Sequence, residues 1–147
     1  MLSAKVELKI NNNFINKFES SINEAVEKAA SDLEKELKKS ILTGEKSGEL
    51  YNSGNKLHRS SAPGQAPAND SGKLANSIGH KKIKDNEFDV TIKSNYAIIL
   101  EFGTSRMQAR PFIRPGIEKV RKRLSSAINA IRRKNGLWTI NYRKLDL

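Results

Sequence analysis

The sequence predicts an α+β fold on three observations: a long helix-period stripe early in the chain, a shorter basic one late in it, and period-two alternation between them. Apolar residues fall at Phe14, Phe18, Ile22, Val26, Ala29 or Ala30, Leu33, Leu37 and Ile41, steps of three and four that make one amphipathic helix. Ile117, Val120, Leu124, Ala127, Ile128 and Ile131 repeat the pattern on a second. Between them Phe88, Val90 and Ile92 alternate with Asp89, Thr91 and Lys93, as a half-buried strand does. At 147 residues these elements amount to one domain, residues 1–147. Its expected form is a small antiparallel sheet packed against one long N-terminal helix and a shorter basic C-terminal helix, with a long flexible arm.

In chain order, Lys5 to Ile10 alternates Val6, Leu8 and Ile10 with charged residues, a first strand. Asn11-Asn12-Asn13 follows as a turn with a ready N-cap. The long helix then runs to Ile41, with Gly44 where a C-terminal glycine belongs. Steps of four predominate over the alternating three and four of a heptad, which favours folding back on its own sheet over a coiled-coil partner. From Gly44 to Gly72, 15 of 29 residues are Gly, Ser, Asn or Pro, a composition that buries too little apolar surface to order itself. This is the arm, either ordered by a partner subunit through Leu50, Tyr51 and Leu57 or simply an insertion. Asp70 to Ile78 reads as a short capped helical turn with Leu74 and Ile78 facing inward together. Lys81 to Ile83, a turn at residues 84–87 and Phe88 to Lys93 read as a hairpin. Asn135-Gly136 ends the basic helix, and Leu137 to Tyr142 is a last strand.

The densest stretch is Tyr96 to Ile117. An apolar run, Tyr96-Ala97-Ile98-Ile99-Leu100, carries Glu101 and Phe102 and breaks at Gly103-Thr104. It restarts at Pro111-Phe112-Ile113-Arg114-Pro115, where prolines suit a first helical turn because their missing N–H would be unpaired there anyway. The expectation is a buried element, a tight glycine corner and a helix entry. Glu101 is expected to pair with Arg106, Arg110 or Arg114.

The chemistry the sequence excludes is broad. It has no cysteine, so disulfides, thiolate zinc and cysteine nucleophiles are out. His58 and His80 have no ligand at helical or turn spacing, which leaves no metal site. Neither Gly103-Thr104-Ser105-Arg106 nor Gly72-Lys73 meets the GxxxxGK requirement of a phosphate loop. Ser71 and Ser77 lack a histidine-plus-acid set. No catalytic residue and no cofactor are assigned. No apolar run reaches the length of a bilayer span, and the first residues lack a signal-peptide core, so the chain is expected to be soluble and cytoplasmic where it is made.

The net charge of +11 favours polyanions or acidic protein surfaces. Ten basic residues stand against Glu118 alone between Arg106 and Lys134. Arg121, Lys122, Arg132, Arg133 and Lys134 are the candidate nucleic-acid contacts, through counterion release without sequence reading. They lack interleaved aromatics and helix-turn-helix spacing, so a solvated basic face, or one docking on an acidic neighbouring protein, is at least as well supported.

Four blocks carry a family resemblance: Ala62-Pro63-Gly64-Gln65-Ala66-Pro67; Ser71-Gly72-Lys73-Leu74-Ala75-Asn76-Ser77-Ile78; Tyr96-Ala97 with Glu101-Phe102-Gly103-Thr104; and Ala109-Arg110-Pro111-Phe112-Ile113-Arg114-Pro115. In order and spacing they resemble the gene-product-ten-like neck, or head–tail joining, proteins of long-tailed bacteriophages and prophages. The resemblance covers about Ser60 to Ile131. Gly116 stands where that family commonly has alanine, which weakens the helix start. The resemblance implies a non-enzymatic ring subunit, sixfold in the virion, made in the bacterial host cytoplasm. Its implied partners are itself and the adaptor, stopper and tail-terminator proteins, with no membrane and at most non-specific contact with genomic DNA. A minor tail component is the nearest rival. The assembly contacts it implies are Pro63, Gly64, Pro67, Tyr96, Glu101, Phe102, Gly103, Arg110, Pro111, Phe112 and Arg114. Tyr96, Phe102 and Phe112 could equally be core.

Overall fold

The computed structural model describes residues 12–135. The strands expected at 5–10 and 137–142 lie outside the described residues. The elements are α1 (Asn12–Thr43), β1 (Leu50–Ser53), β2 (Lys56–Arg59), α2 (Lys73–Asn76), β3 (Ile78–Lys84), β4 (Glu87–Ile92), α3 (Ala97–Phe102) and α4 (Ile113–Lys134). The class is α+β, as expected. The strands form two separate two-stranded antiparallel sheets, β1 with β2 and β3 with β4.

Helix α1 has 32 residues, about 48 Å at 1.5 Å per residue. Its apolar stripe divides in two. Ala30, Leu37 and Ile41 are buried, whereas Phe14 and Phe18 stack on each other with ring centroids 6.4 Å apart and remain half-buried. Lys28 pairs with Asp32 and Lys38 with Glu34, each one turn apart, and each pair adds a few tenths of a kcal/mol. Gly44 follows the last turn, where a side chain would meet the Ser40 carbonyl oxygen at 2.3 Å.

Helix α4 runs antiparallel to α1. Gly116 at its start meets Leu37, Lys119 and Arg123 reach Glu36, and Val120, Leu124 and Ala127 face Ala25 and Ala29. The glycine that seemed to weaken the helix is a close-approach site: a Cβ there would lie 2.6 Å from Leu37 Cδ2. Ile117, expected on the buried stripe, is 45% exposed, because Gly116 and Val120 occupy the face toward α1.

The β3–β4 hairpin packs along α1, with β3 beside Glu34 and the hairpin turn beside Asn23. Its register pairs Ile78 with Ile92, His80 with Val90 and Lys82 with Phe88, with an irregularity between Lys82 and Lys84. β3 extends beyond its expected bounds at both ends, β4 starts one residue earlier and ends one sooner than expected, and the turn narrows to Asp85-Asn86. Asn86 takes a positive φ of 59°, a conformation asparagine tolerates in tight hairpins, and its N–H donates to Asn23 Oδ1 on α1 at 2.9 Å. His80 also bonds to Glu34 on α1.

One core joins these parts: Leu37 and Ile41 from α1, Leu74 and Ala75 from α2, Ile78 from β3, Ala97 from α3 and Phe112 at the entrance of α4. Leu74 and Ile78 face inward together, as their spacing predicts. The cap of α2 differs from expectation. Gly72, with φ 75°, occupies that position without a side-chain hydrogen bond, and Asp70 instead accepts from Ser53 Oγ at 3.0 Å.

The arm is the largest departure. Residues 44–72 were expected to be either an arm ordered by a partner or a floppy insertion, yet they contain the β1–β2 hairpin and fold back on their own chain. Lys46 Nζ donates to the carbonyls of Ser40 and Ala66, at 3.0 and 2.7 Å. Burial holds the Lys46 ammonium below its ordinary range. Gln65 Oε1 accepts from the N–H groups of Ser47 and Ala62, and its amide donates to Ser47 Oγ. Polar side chains supply the order that apolar burial does not, and residue composition alone does not register that substitution. Leu50, Tyr51 and Leu57 stay exposed on the hairpin.

Candidate assembly surface and its cavity

The chain leaves β4, turns through residues 93–96 and forms α3, six residues long. Helical spacing sorts its side chains. Ala97 and Glu101 point inward with Leu100 half-buried, whereas Ile98 (70% exposed), Ile99 and Phe102 (63%) face out. The expected buried run is therefore half surface, because on a six-residue helix only one face can reach the core. Of the three aromatics that admitted either assignment, Phe112 is core at 1% exposure, while Tyr96 and Phe102 are surface. Arg114 lies over the Phe102 ring, 5.3 Å from its centroid, a cation–π contact that holds the exposed ring in place.

Gly103 makes the corner. Its φ of 74° lies in the left-handed region, and a Cβ would meet Met107 O at 2.7 Å and Ala109 N at 2.8 Å. Both atoms are backbone, so no side chain can be accommodated by a rotamer change. A tight turn follows, closed by Thr104 N–H donating to Met107 O at 2.8 Å. Thr104 Oγ1 accepts from the Arg106 and Met107 N–H groups. The chain then returns alongside α3, with Arg110 N–H donating to Leu100 O at 2.7 Å.

Glu101 locks this return to α4. Its expected ion pair with Arg106, Arg110 or Arg114 is absent among the described residues. The carboxylate accepts instead from three backbone N–H groups: Phe112 and Ile113 at 2.9 Å to Oε2, and Arg114 at 3.0 Å to Oε1. The next residue, Pro115, has no N–H, and Gly116 N–H already donates to Phe112 O. Every donor at the start of α4 is thus accounted for. Phe112 supplies no side-chain cap, so the cap comes from eleven residues upstream, on another helix. A carboxylate is suited to that end of the helix dipole.

The arm closes onto the same corner. Gly64 N–H donates to Ala109 O at 2.9 Å, while Pro63 is exposed and Pro67 buried. All four sequence blocks meet around one cavity of about 270 Å³, whose walls include Ser61, Pro67, Lys73, Tyr96, Leu100 and Arg110. Pro111 and Phe112, which lead into α4, are not among its lining residues.

The basic residues divide. Lys119 Nζ donates to Glu36 Oε1 at 2.7 Å and Arg123 Nη2 lies 3.7 Å from Oε2, so both serve the α1–α4 contact. Hydrogen bonding from Lys119 holds the Glu36 carboxyl below the usual carboxylate range. Arg121, Lys122, Arg133 and Lys134 are exposed on α4, and Arg132 is half-buried. The structure does not bring this set together with the corner.

Sequence reasoning missed Ile98, Ile99, Lys46, Gln65 and Ser61. For the two isoleucines a signal was present, since positions 97, 100 and 101 share one helix face and 98, 99 and 102 the other. Lys46, Gln65 and Ser61 act through tertiary contacts that no local spacing encodes. Among the described residues no three His, Asp or Glu side chains gather as a metal cluster, and no helix is long and apolar enough to cross a membrane. Compared with protein-family models, with curated proteins and with solved structures, the chain matches none.

Proposed function

We propose that this chain is a structural virion protein that joins phage head and tail, acting as one subunit of a neck ring. The observation that carries the reading is the α3 surface: Ile98, Ile99, Phe102 and Tyr96 stand exposed together on a helix fixed by the Gly103 corner and the Glu101 cap. A rigidly held apolar surface is what a protein partner buries. The exposed Leu50 and Leu57 on the β1–β2 hairpin offer a second such surface on the same chain, and two different surfaces on one subunit suit head-to-tail closure of a ring. The four-block resemblance supplies the setting, and the neighbours it implies are adaptor, stopper and tail-terminator proteins. A null mutant is expected to accumulate filled heads and separate tails. Normal phage yield from that mutant overturns the proposal.

A second reading, contact with genomic DNA, is favoured by the exposed cations Arg121, Lys122, Arg133 and Lys134 on α4. It predicts binding to any duplex that weakens steeply with salt. No retention on DNA at low salt disposes of it.

A further inference from the structure

Two buried polar side-chain atoms without a hydrogen-bond partner among the described residues, Ser61 Oγ and Arg110 Nε, belong to residues that line the same cavity. Ser61 is only 2% exposed. Arg110 has no acid beside it: no ion pair among the described residues includes its guanidinium. Lys73, on the same wall, has none either. The acid that does line the cavity, Asp70, is engaged by Ser53 Oγ at 3.0 Å and lies 3.5 Å from His58 Nε2. The cavity therefore holds two cations, Lys73 and Arg110, against the one acid, Asp70. Buried polar groups are normally satisfied, and a buried Arg110 Nε–H without an acceptor carries an uncompensated desolvation cost.

We infer that this cavity receives a carboxylate, presented by an acidic side chain of a partner protein; the inference rests on the assembly reading for the source of that carboxylate. The planar guanidinium offers parallel N–H donors that match a carboxylate's two oxygens, and Ser61 can donate a further hydrogen bond. Tyr51, Tyr96 and Leu100 give the cavity aromatic and apolar walls, which suit the flanking residues of a peptide segment. Tyr96, at the head of α3, lines the cavity and is itself exposed, so it belongs both to the cavity wall and to the apolar surface. The volume of about 270 Å³ is at the small end for ligand sites and admits a side chain more readily than a nucleotide. The net charge of +11 favours an acidic partner over a like-charged copy.

The test is an NMR titration of the full chain, reading the Arg110 Nε–H and the backbone amides of Ser61 and Gly72. Sodium acetate, inorganic phosphate and sodium chloride are added at matched ionic strength. Acetate is expected to give saturable shifts confined to these signals, and Arg110→Gln to weaken its binding at least about tenfold. Shifts that chloride reproduces overturn the inference, as does phosphate binding about tenfold tighter than acetate, which assigns the site to phosphate. If Arg110→Gln does not fold, the native chain's acetate-against-chloride comparison and the Ser61→Ala variant decide the matter. Assembly of the native chain with no acetate binding removes this inference and leaves the assembly reading intact. Acetate binding with no assembly removes the assembly reading and, with it, the proposed source of the carboxylate.

Discussion

Replacing Glu101 by alanine removes one acceptor group from three backbone donors at once. The N–H groups of Phe112, Ile113 and Arg114 lie 2.9, 2.9 and 3.0 Å from its oxygens, at a position where Glu101 is 5% exposed and Phe112 1%. A hydrogen bond to a charged group contributes about 1.5–3 kcal/mol, and an ordinary N-cap about 1 kcal/mol. Three bonds to one carboxylate are not additive, and water reaches the Arg114 N–H most easily, since that residue is exposed. The expected loss is therefore about 3–5 kcal/mol, between the contribution of one such bond and the sum of three. Glu101→Gln keeps one carbonyl acceptor but turns an NH2 group toward a donor, so it should cost about 1–3 kcal/mol. Urea unfolding followed by circular dichroism measures both. With a slope of about 2 kcal/mol per molar, Glu101→Ala moves the midpoint down by about 2 M at constant slope. A shift of less than about 0.5 M for alanine, or equal losses for alanine and glutamine, refutes the cap as the element that fixes α4 to α3.

Gly103→Ala should destabilise the fold by at least about 2 kcal/mol in the same assay, because a positive φ and two backbone clashes act together; a neutral result contradicts the corner geometry. Gly116→Ala should cost about 1 kcal/mol despite the better helix propensity of alanine, since overpacking against Leu37 outweighs a gain of about 1 kcal/mol. A higher urea midpoint for that variant would show that Leu37 yields freely. Acid should weaken the fold through Glu34 and Glu36. Hydrogen bonding from Lys38, and then His80, holds Glu34 below its ordinary 4.5, and Lys119 does the same for Glu36. Lowered folded values mean that the unfolded chain binds protons more tightly. This stability is present above the ordinary carboxylate value and is lost as pH falls through the folded ones. The Glu34→Gln, Glu36→Gln double variant should therefore show a shallower loss of urea midpoint between about pH 6 and pH 3; an unchanged acid limb removes these two pairs from the explanation.

What was legible in the sequence was periodic or local. Eight apolar positions from Phe14 to Ile41 wrote α1 plainly, and alternation at Phe88, Val90 and Ile92 wrote β4. Gly103 declared its corner because the break from an apolar run into a loop has few other solutions. The arm was misread because its order comes from Lys46 and Gln65 bonding to backbone groups up to twenty residues away, and a polar composition looks the same whether or not those bonds form. Glu101 was misassigned for a related reason. A lone acid near three arginines reads as an ion pair, whereas the backbone donors that claim it lie at the start of a helix whose own N-cap residue, Phe112, has no side-chain acceptor. That missing local cap was the available clue. Gly116 shows the limit of propensity: a residue poor for helix start is required by the close approach of another helix.

Sedimentation velocity on the native chain and on an Ile98→Asp, Phe102→Asp double variant, each alone and mixed with the proteins encoded beside it, tests the central claim most directly. Both side chains are mostly exposed, so the variant should keep its stability to urea within about 0.5 kcal/mol of native. The account predicts that the native chain enters a larger complex and the variant sediments as a folded monomer under the same conditions. A variant that assembles as the native chain does, or a native chain that stays monomeric in every mixture, contradicts it.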